Sequence, residues 1–336
     1  MHRKQSKIMA TWFKRKVIRP VRNRILYVLV YSMFLMGPLM SRRILLAWHK
    51  WACKYIYLMC KKTAAIMNDN FTRVFGPERY KDQYKQLGLR VFQNLTLTFT
   101  DYALWGFKRN WKFFSKYFTV KGEEHLRRAY NRGKGVLCLV THTPGWEFSA
   151  FMPPQLGYKS AGVSSAIKNP ALNKFMIMLR ETRGMRNITR HRCYEQLVEL
   201  LRNGECLIIM TDQDSMHIRG EFVDFMGSSA YTPIGCSRLA AETGAAVVPM
   251  CTLRNADNTY TFLIQPEIPP IYDSKGRYDI IANTQAQNDA MSHIIYNNPD
   301  QWVWFHERWK TTPESLANYL EQKRKAEELQ KKSQSN

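Results

Sequence analysis

Gly135-Val136-Leu137-Cys138-Leu139-Val140-Thr141-His142-Thr143-Pro144-Gly145-Trp146-Glu147-Phe148 is the stretch that decides how this chain folds. An unbroken apolar run after a glycine reads as a strand buried on both faces. Pro144-Gly145 turns the chain directly afterwards. A histidine and a carboxylate just past the carboxyl end of such a strand stand where open α/β sheets place their chemistry. A His-x4-acid spacing is commonplace in a chain with eight histidines and 27 acidic residues. Only His142 has it, however, and His142 follows the clearest strand in the sequence. The bland alternative is a strand-end histidine bonded to nearby backbone. The functional reading makes His142 a general base and Glu147 the group that orients its ring and carries the balancing charge.

Downstream, strands and helices alternate. Ser160-Ala161-Gly162-Val163 reads as a short strand. Asn169 caps a helix with Pro170 at its first position. Its apolar stripe is Leu172, Phe175, Met176 and Leu179, and Gly184 ends it. A helix over 193–203 is closed by Gly204. Cys206 to Met210 is a second buried strand, running into Thr211-Asp212-Gln213-Asp214. A polar loop follows, and Thr232-Pro233 opens another helix that stops at Gly244. Ala245 to Pro249 is a third buried strand, and Tyr260, Phe262 and Ile264 alternate as an antiparallel-type edge strand. A helix is expected over 284–297, and a charged, solvated one after Pro313. The pattern predicts an α/β fold with a mixed, mainly parallel sheet flanked by helices. No P-loop, G-x-G-x-x-G or G-x-S-x-G motif is present.

Upstream of the strand the chain reads as helical, and its charge is uneven. The net charge is +23, and no Asp or Glu precedes Asp69. The first 68 residues hold 15 of the 50 Lys and Arg, about two thirds of the excess. An anionic membrane surface or a nucleic acid is the physical counterpart of such charge. The basic residues flank the apolar run from Ile25 to Met36, which favours lipid. Residues 25–40 would reach only about 24 Å as a helix, against ~30 Å of hydrocarbon. They therefore read as a marginal single span or as an interfacial anchor. Residues 44–67 continue as an apolar, aromatic helix with the spacing of a core face. The expected organisation is a basic, membrane-anchoring helical segment over 1–68, a main domain over 69–313 and a charged tail over 314–336. Seven cysteines with no C-x-x-C argue for a reducing compartment and against zinc, and neither a metal nor a cofactor is expected.

Several motifs, in order, extend the picture. They are Met67-Asn68-Asp69-Asn70-Phe71; His142-x4-Glu147; Lys168-Asn169-Pro170 opening a helix that ends Arg180-Glu181-Thr182-Arg183-Gly184; Arg202-Asn203-Gly204-Glu205, strand, Thr211-Asp212-Gln213-Asp214; Thr243-Gly244-Ala245-Ala246-Val247-Val248-Pro249; and Trp302-Val303-Trp304-Phe305-His306-Glu307-Arg308-Trp309-Lys310. Together they resemble the lipid A late acyltransferases (lauroyl and myristoyl transferases), a branch of the lysophospholipid acyltransferase superfamily. The resemblance covers about residues 24–313.

It implies a membrane-associated enzyme on the cytoplasmic face of the inner membrane. The enzyme would move a fatty acyl group from an acyl carrier protein or acyl-CoA thioester to a hydroxyl of a lipid A precursor. His142 would be the base and Glu147 its partner. No enzyme nucleophile is needed, because a thiolate already leaves well, and Cys138 is not assigned that role. Where the family carries an Arg-Pro pair, Ser165-Ala166 stands here. The missing positive charge is expected from Lys168, Arg180 or Arg183. Asp212 and Gln213 are expected to bind polar groups of the acceptor or to brace an arginine. The same chemistry on a lysophospholipid or glycolipid is the alternative, and a non-enzymatic basic membrane- or nucleic-acid-binding protein is the remaining one.

Overall fold

The computed structural model describes residues 19–77, 83–105, 115–191 and 193–334. The sheet is built from β1 (Phe118–Lys121), β2 (Val136–Val140), β3 (Ser160–Ser164), β4 (Met185–Thr189), β5 (Cys206–Ile209), β8 (Ala246–Arg254) and β9 (Tyr260–Ile264). Their spatial order is β1-β9-β8-β2-β5-β3-β4. All neighbours are parallel except β8 and β9. The expected mixed, mainly parallel α/β sheet is therefore present.

β2 lies between β5 and β8, and every one of its residues is fully buried. Leu137 and Leu139 enter one core, while Val136, Cys138 and Val140 enter the other. Side chains alternate across a strand, so burial on both faces demands the continuous apolar run. Helices that cover the sheet include α5 (Glu123–Tyr130), α6 (Trp146–Gln155), α7 (Pro170–Glu181), α8 (Tyr194–Arg202) and α9 (Gly235–Thr243). Asn169 caps α7 as expected, accepting from the Leu172 amide at 3.2 Å.

Two strands escaped the pattern. β1 and β4 are the sheet's outer strands, and β4 buries only Met185 and Ile188. With so little apolar signal they resemble loop, and β9 consequently is not an edge. Residues 220–233 also differ from expectation. They form a hairpin of β6 (Gly220–Phe225) and β7 (Ser228–Pro233) in place of a polar loop and a helix start. Its two-residue turn has Met226 at φ 55° and Gly227 at φ 81°, the left-handed pair that matches strand twist. Phe225 and Met226 are buried here, with Phe225 packed against Trp302 and Trp309.

The amino-terminal layer consists of α1 (Arg19–Met36), α2 (Arg42–Met59), α3 (Lys61–Phe75) and α4 (Tyr84–Trp105). Among the described residues no helix is long and apolar enough to cross a membrane. The stretch read as one helix over 44–67 breaks at Cys60. Only part of α2 is core: Ala52, Cys53 and Tyr57 are buried, while Ile44, Trp48, Trp51, Tyr55, Leu58 and Met59 are exposed. The basic residues 1–18 and most of the aromatic run from Trp105 to Phe118 lie outside the described residues. α10 (Ile280–Asn297) and α11 (Pro313–Gln334) complete the chain.

Candidate active site

β2 and β5 pair in parallel, with Leu139 opposite Ile209. Extending that register by three residues puts His142 beside Asp212. The His142 ring Nδ1 lies 2.5 Å from Asp212 Oδ1, and the His142 backbone N–H donates to Oδ2 at 2.7 Å. The Trp302 indole N–H donates to the same oxygen at 2.8 Å. Asp212 is completely buried, whereas the His142 side chain keeps 19% of its exposure. Burial pushes the Asp212 carboxyl up. The charge of the His142 ring and the three donors outweigh this and hold it below the ordinary carboxylate value. A carboxylate only accepts, so it fixes the Nδ1–H tautomer and leaves the Nε2 lone pair as the ring's basic site.

The expectation that Glu147 orients the ring is thereby corrected. Glu147 accepts both arms of Arg180, at 3.0 Å from Nε and 2.5 Å from Nη2, and takes a longer contact of 3.3 Å from Trp146 Nε1. The reason is geometric. Glu147 lies beyond the Pro144-Gly145 turn, in the first turn of α6, and faces the end of α7. Asp212, expected to meet acceptor groups or brace an arginine, instead serves the histidine.

A cavity of about 910 Å³ opens beside His142. Glu147, Arg180, Gln213, Asp214 and Arg190 contribute its polar lining, and Ala150, Met185, Leu197, Ile208 and Leu239 its apolar lining. Its size and mixed character suit a ligand with a polar head and a long apolar tail. Of the cations expected here, Arg180 reaches the cavity with its charge largely balanced by Glu147. Arg183 does not reach it. It is 2% exposed, stacks over Phe151 with its guanidinium carbon 4.4 Å from the ring centroid, and donates to the Trp105 carbonyl at 2.5 Å. Lys168 is exposed and does not line the cavity.

Arg190 is the cation that the sequence reading missed. It follows β4, an unrecognised strand, and its backbone N–H bonds the Ser164 carbonyl at 3.0 Å. That places it next to Ser165, where the expected arginine is absent. It makes no ion pair with a described residue. Trp302, quoted in the sequence only as part of a motif and given no role, is the other missed participant. No group of side chains that could hold a metal occurs among the described residues.

The loop after β2 tolerates little change. A Cβ on Gly145 would sit 2.7 Å from Thr252 Cβ and 2.8 Å from its carbonyl oxygen. The Thr143 hydroxyl donates to that carbonyl at 2.9 Å, and the Ser149 and Thr252 hydroxyls share a hydrogen bond of 2.8 Å. β8 thus braces the turn that carries His142.

Comparison with known proteins adds a family context. The family model described as "Bacterial lipid A biosynthesis acyltransferase" matches residues 12–311. A phosphatidylinositol mannoside acyltransferase of Mycobacterium tuberculosis is 27% identical over 195 residues, 56% of this chain and 59% of that protein. The lipid A biosynthesis lauroyltransferase of Escherichia coli is 23% identical over 265 residues, 76% of this chain and 82% of that protein. The lipid A biosynthesis palmitoleoyltransferase of the same organism is 28% identical over 209 residues, 59% of this chain and 63% of that protein. The chain therefore spans about three fifths of the length of the mycobacterial relatives it matches.

Proposed function

Because the chain belongs to the bacterial lipid A biosynthesis acyltransferase family, we propose that it transfers a fatty acyl group from a thioester to a hydroxyl of a lipid A-type acceptor. The observation that carries this reading is a histidine whose Nδ1 is locked by a buried carboxylate, on the wall of a large, mainly apolar cavity. An alcohol is a weak nucleophile at neutral pH. Nε2 of His142 removes its proton as the oxygen attacks the thioester carbonyl, a contribution of about 10²–10⁴ in rate. Asp212 stabilises the imidazolium without taking its proton. The tetrahedral oxyanion then collapses, the C–S bond breaks, and the proton on Nε2 passes to the departing thiolate. The backbone amides of Glu147 and Phe148, in the first turn of α6, are the oxyanion donors in this scheme, favoured by the helix dipole. Glu147 and Arg180 form a polar wall rather than a proton path. Arg190 takes over the anionic contact that Ser165-Ala166 cannot make. The donor is an acyl carrier protein or coenzyme A thioester, both anionic and both drawn to a basic protein.

The test is transfer by purified protein from labelled acyl thioester to a lipid A precursor. His142→Ala is expected to lose about two orders of magnitude or more. Retained turnover in that folded variant overturns the base assignment. A second reading, a glycolipid acceptor, is favoured by the resemblance to the mycobacterial enzymes and by Ser165-Ala166. Lipid profiling of a deletion strain separates the two, since unchanged lipid A acylation removes the first.

A further inference from the structure

One carboxy-terminal segment reaches the loop that carries Asp212 at three successive points. Trp302 Nε1 donates to Asp212 Oδ2 at 2.8 Å. The Asp214 backbone N–H donates to His306 Nε2 at 3.1 Å. The Thr311 N–H and hydroxyl donate to the two Asp214 carboxylate oxygens at 2.9 and 2.6 Å. The segment is itself anchored. Asn70 Nδ2 on α3 donates to the Trp304 and His306 carbonyls at 2.7 and 2.9 Å. Arg308, fully buried, donates to the Tyr231 carbonyl and the Thr232 hydroxyl at 2.7 and 2.6 Å. Two of the loop contacts have a fixed polarity, because an indole N–H and the Thr311 N–H only donate. The third does not: an imidazole nitrogen accepts only when unprotonated.

The geometry points to His306 as a proton-gated positioning residue: its neutral ring holds the 212–214 loop in the register that keeps Asp212 on His142, and a proton on Nε2 releases it. This rests on reading His142 and Asp212 as the catalytic pair. A protonated Nε2 would face the Asp214 N–H donor to donor, so the contact converts from attraction to repulsion. The surroundings favour the neutral ring. Burial lowers the His306 pKa most, and Arg308 and the His142 ring act in the same direction. Asp212 and Asp214, on the loop itself, oppose them. Glu307 adjoins it in sequence, and α3 presents the uncharged Asn70. The latch therefore opens at lower pH than an ordinary histidine would titrate.

Glutamine can place an amide oxygen near the position of Nε2, while asparagine is too short. His306→Gln is expected to keep kcat at neutral pH within about threefold, and His306→Asn to lose about tenfold or more with little change in KM, since the half-buried Asp214 N–H is left without its acceptor. The acid limb of log kcat/KM should steepen from a slope of about one to about two in the unaltered protein, and stay near one in His306→Gln. Equal behaviour of the Gln and Asn variants at every pH, or superimposable acid limbs of the Gln variant and the parent, overturns the proposal. Nitrogen NMR supplies a readout independent of turnover: the Asp214 amide resonance should shift as the His306 ring protonates. If the protein transfers no acyl group yet that linkage is seen, the catalytic reading has failed and the latch stands. If the amide does not follow the ring, the latch has failed.

Discussion

Asp212 and Glu147 are the two carboxylates that the sequence offered beside His142, and the fold gives them different partners. Asp212 has no exposure and receives three N–H donors, one of them from the ring it orients. Glu147 keeps some exposure and is gripped by Arg180. Asp212→Asn is therefore expected to lower kcat by about 10²–10⁴, because the amide cannot hold the tautomer. Glu147→Gln should act chiefly through the orphaned Arg180. A double-mutant cycle on thermal unfolding checks this: Glu147→Gln and Arg180→Met each destabilise, and the double variant recovers about 1 kcal/mol or more. Strict additivity would show that the pair carries no coupling. Asp212 was legible as a polar residue ending a buried strand. Its role was not, since that role depends on β2 and β5 being neighbours, and no spacing along the chain encodes the pairing.

Elements meet across a buried charge cluster. Asp101 on α4 has no exposed side-chain surface and accepts from Arg42 at the start of α2, at 2.7 and 2.9 Å. Arg254 at the end of β8 adds a contact of 3.0 Å and the Tyr260 hydroxyl one of 2.7 Å. Arg42 also donates to the Asn258 carbonyl at 2.6 Å. Two strands and two helices are thus tied at one carboxylate, and Arg42 joins the Asn258 turn to them. Removing it leaves two arginines without their partner, one of them buried. Asp101→Ala is expected to destabilise by about 3–5 kcal/mol, and limited proteolysis should then cut first in α1 and α2. Unchanged cleavage in those helices would show that the cluster does not dock them. In sequence, Arg42-Arg43 read only as flanking charge, because nothing local names Asp101 as the partner.

At the scale of the whole molecule, the apolar outer face of α2 is an asymmetry that the enzyme reading explains. Ile44, Trp48, Trp51, Tyr55, Leu58 and Met59 recur at helical spacing on one exposed face, with Arg43, Lys50 and Lys54 beside them. Aromatic, aliphatic and basic groups together suit the headgroup region of an anionic bilayer. Both proposed substrates involve lipid, so a protein lying on that surface meets its acceptor there. Binding to vesicles containing phosphatidylglycerol is expected to weaken about tenfold or more for Trp48→Ser with Trp51→Ser, and to weaken further with salt. Equal flotation of parent and variant would remove α2 from the contact.

The sequence by itself determined the layers of this protein. Buried strands must be apolar throughout, and turns and caps need particular residues, so β2, β5, β8, the α7 cap and the position of His142 were readable from local chemistry. Edge strands bury little, so β1 and β4 left almost no trace, and Arg190 was overlooked with them. Only the tertiary structure decided which carboxylate serves the histidine, which arginine is buried and which lines the cavity, and which face of α2 is free. Those outcomes follow from which segments lie side by side, a property of the whole chain's packing and not of any stretch within it.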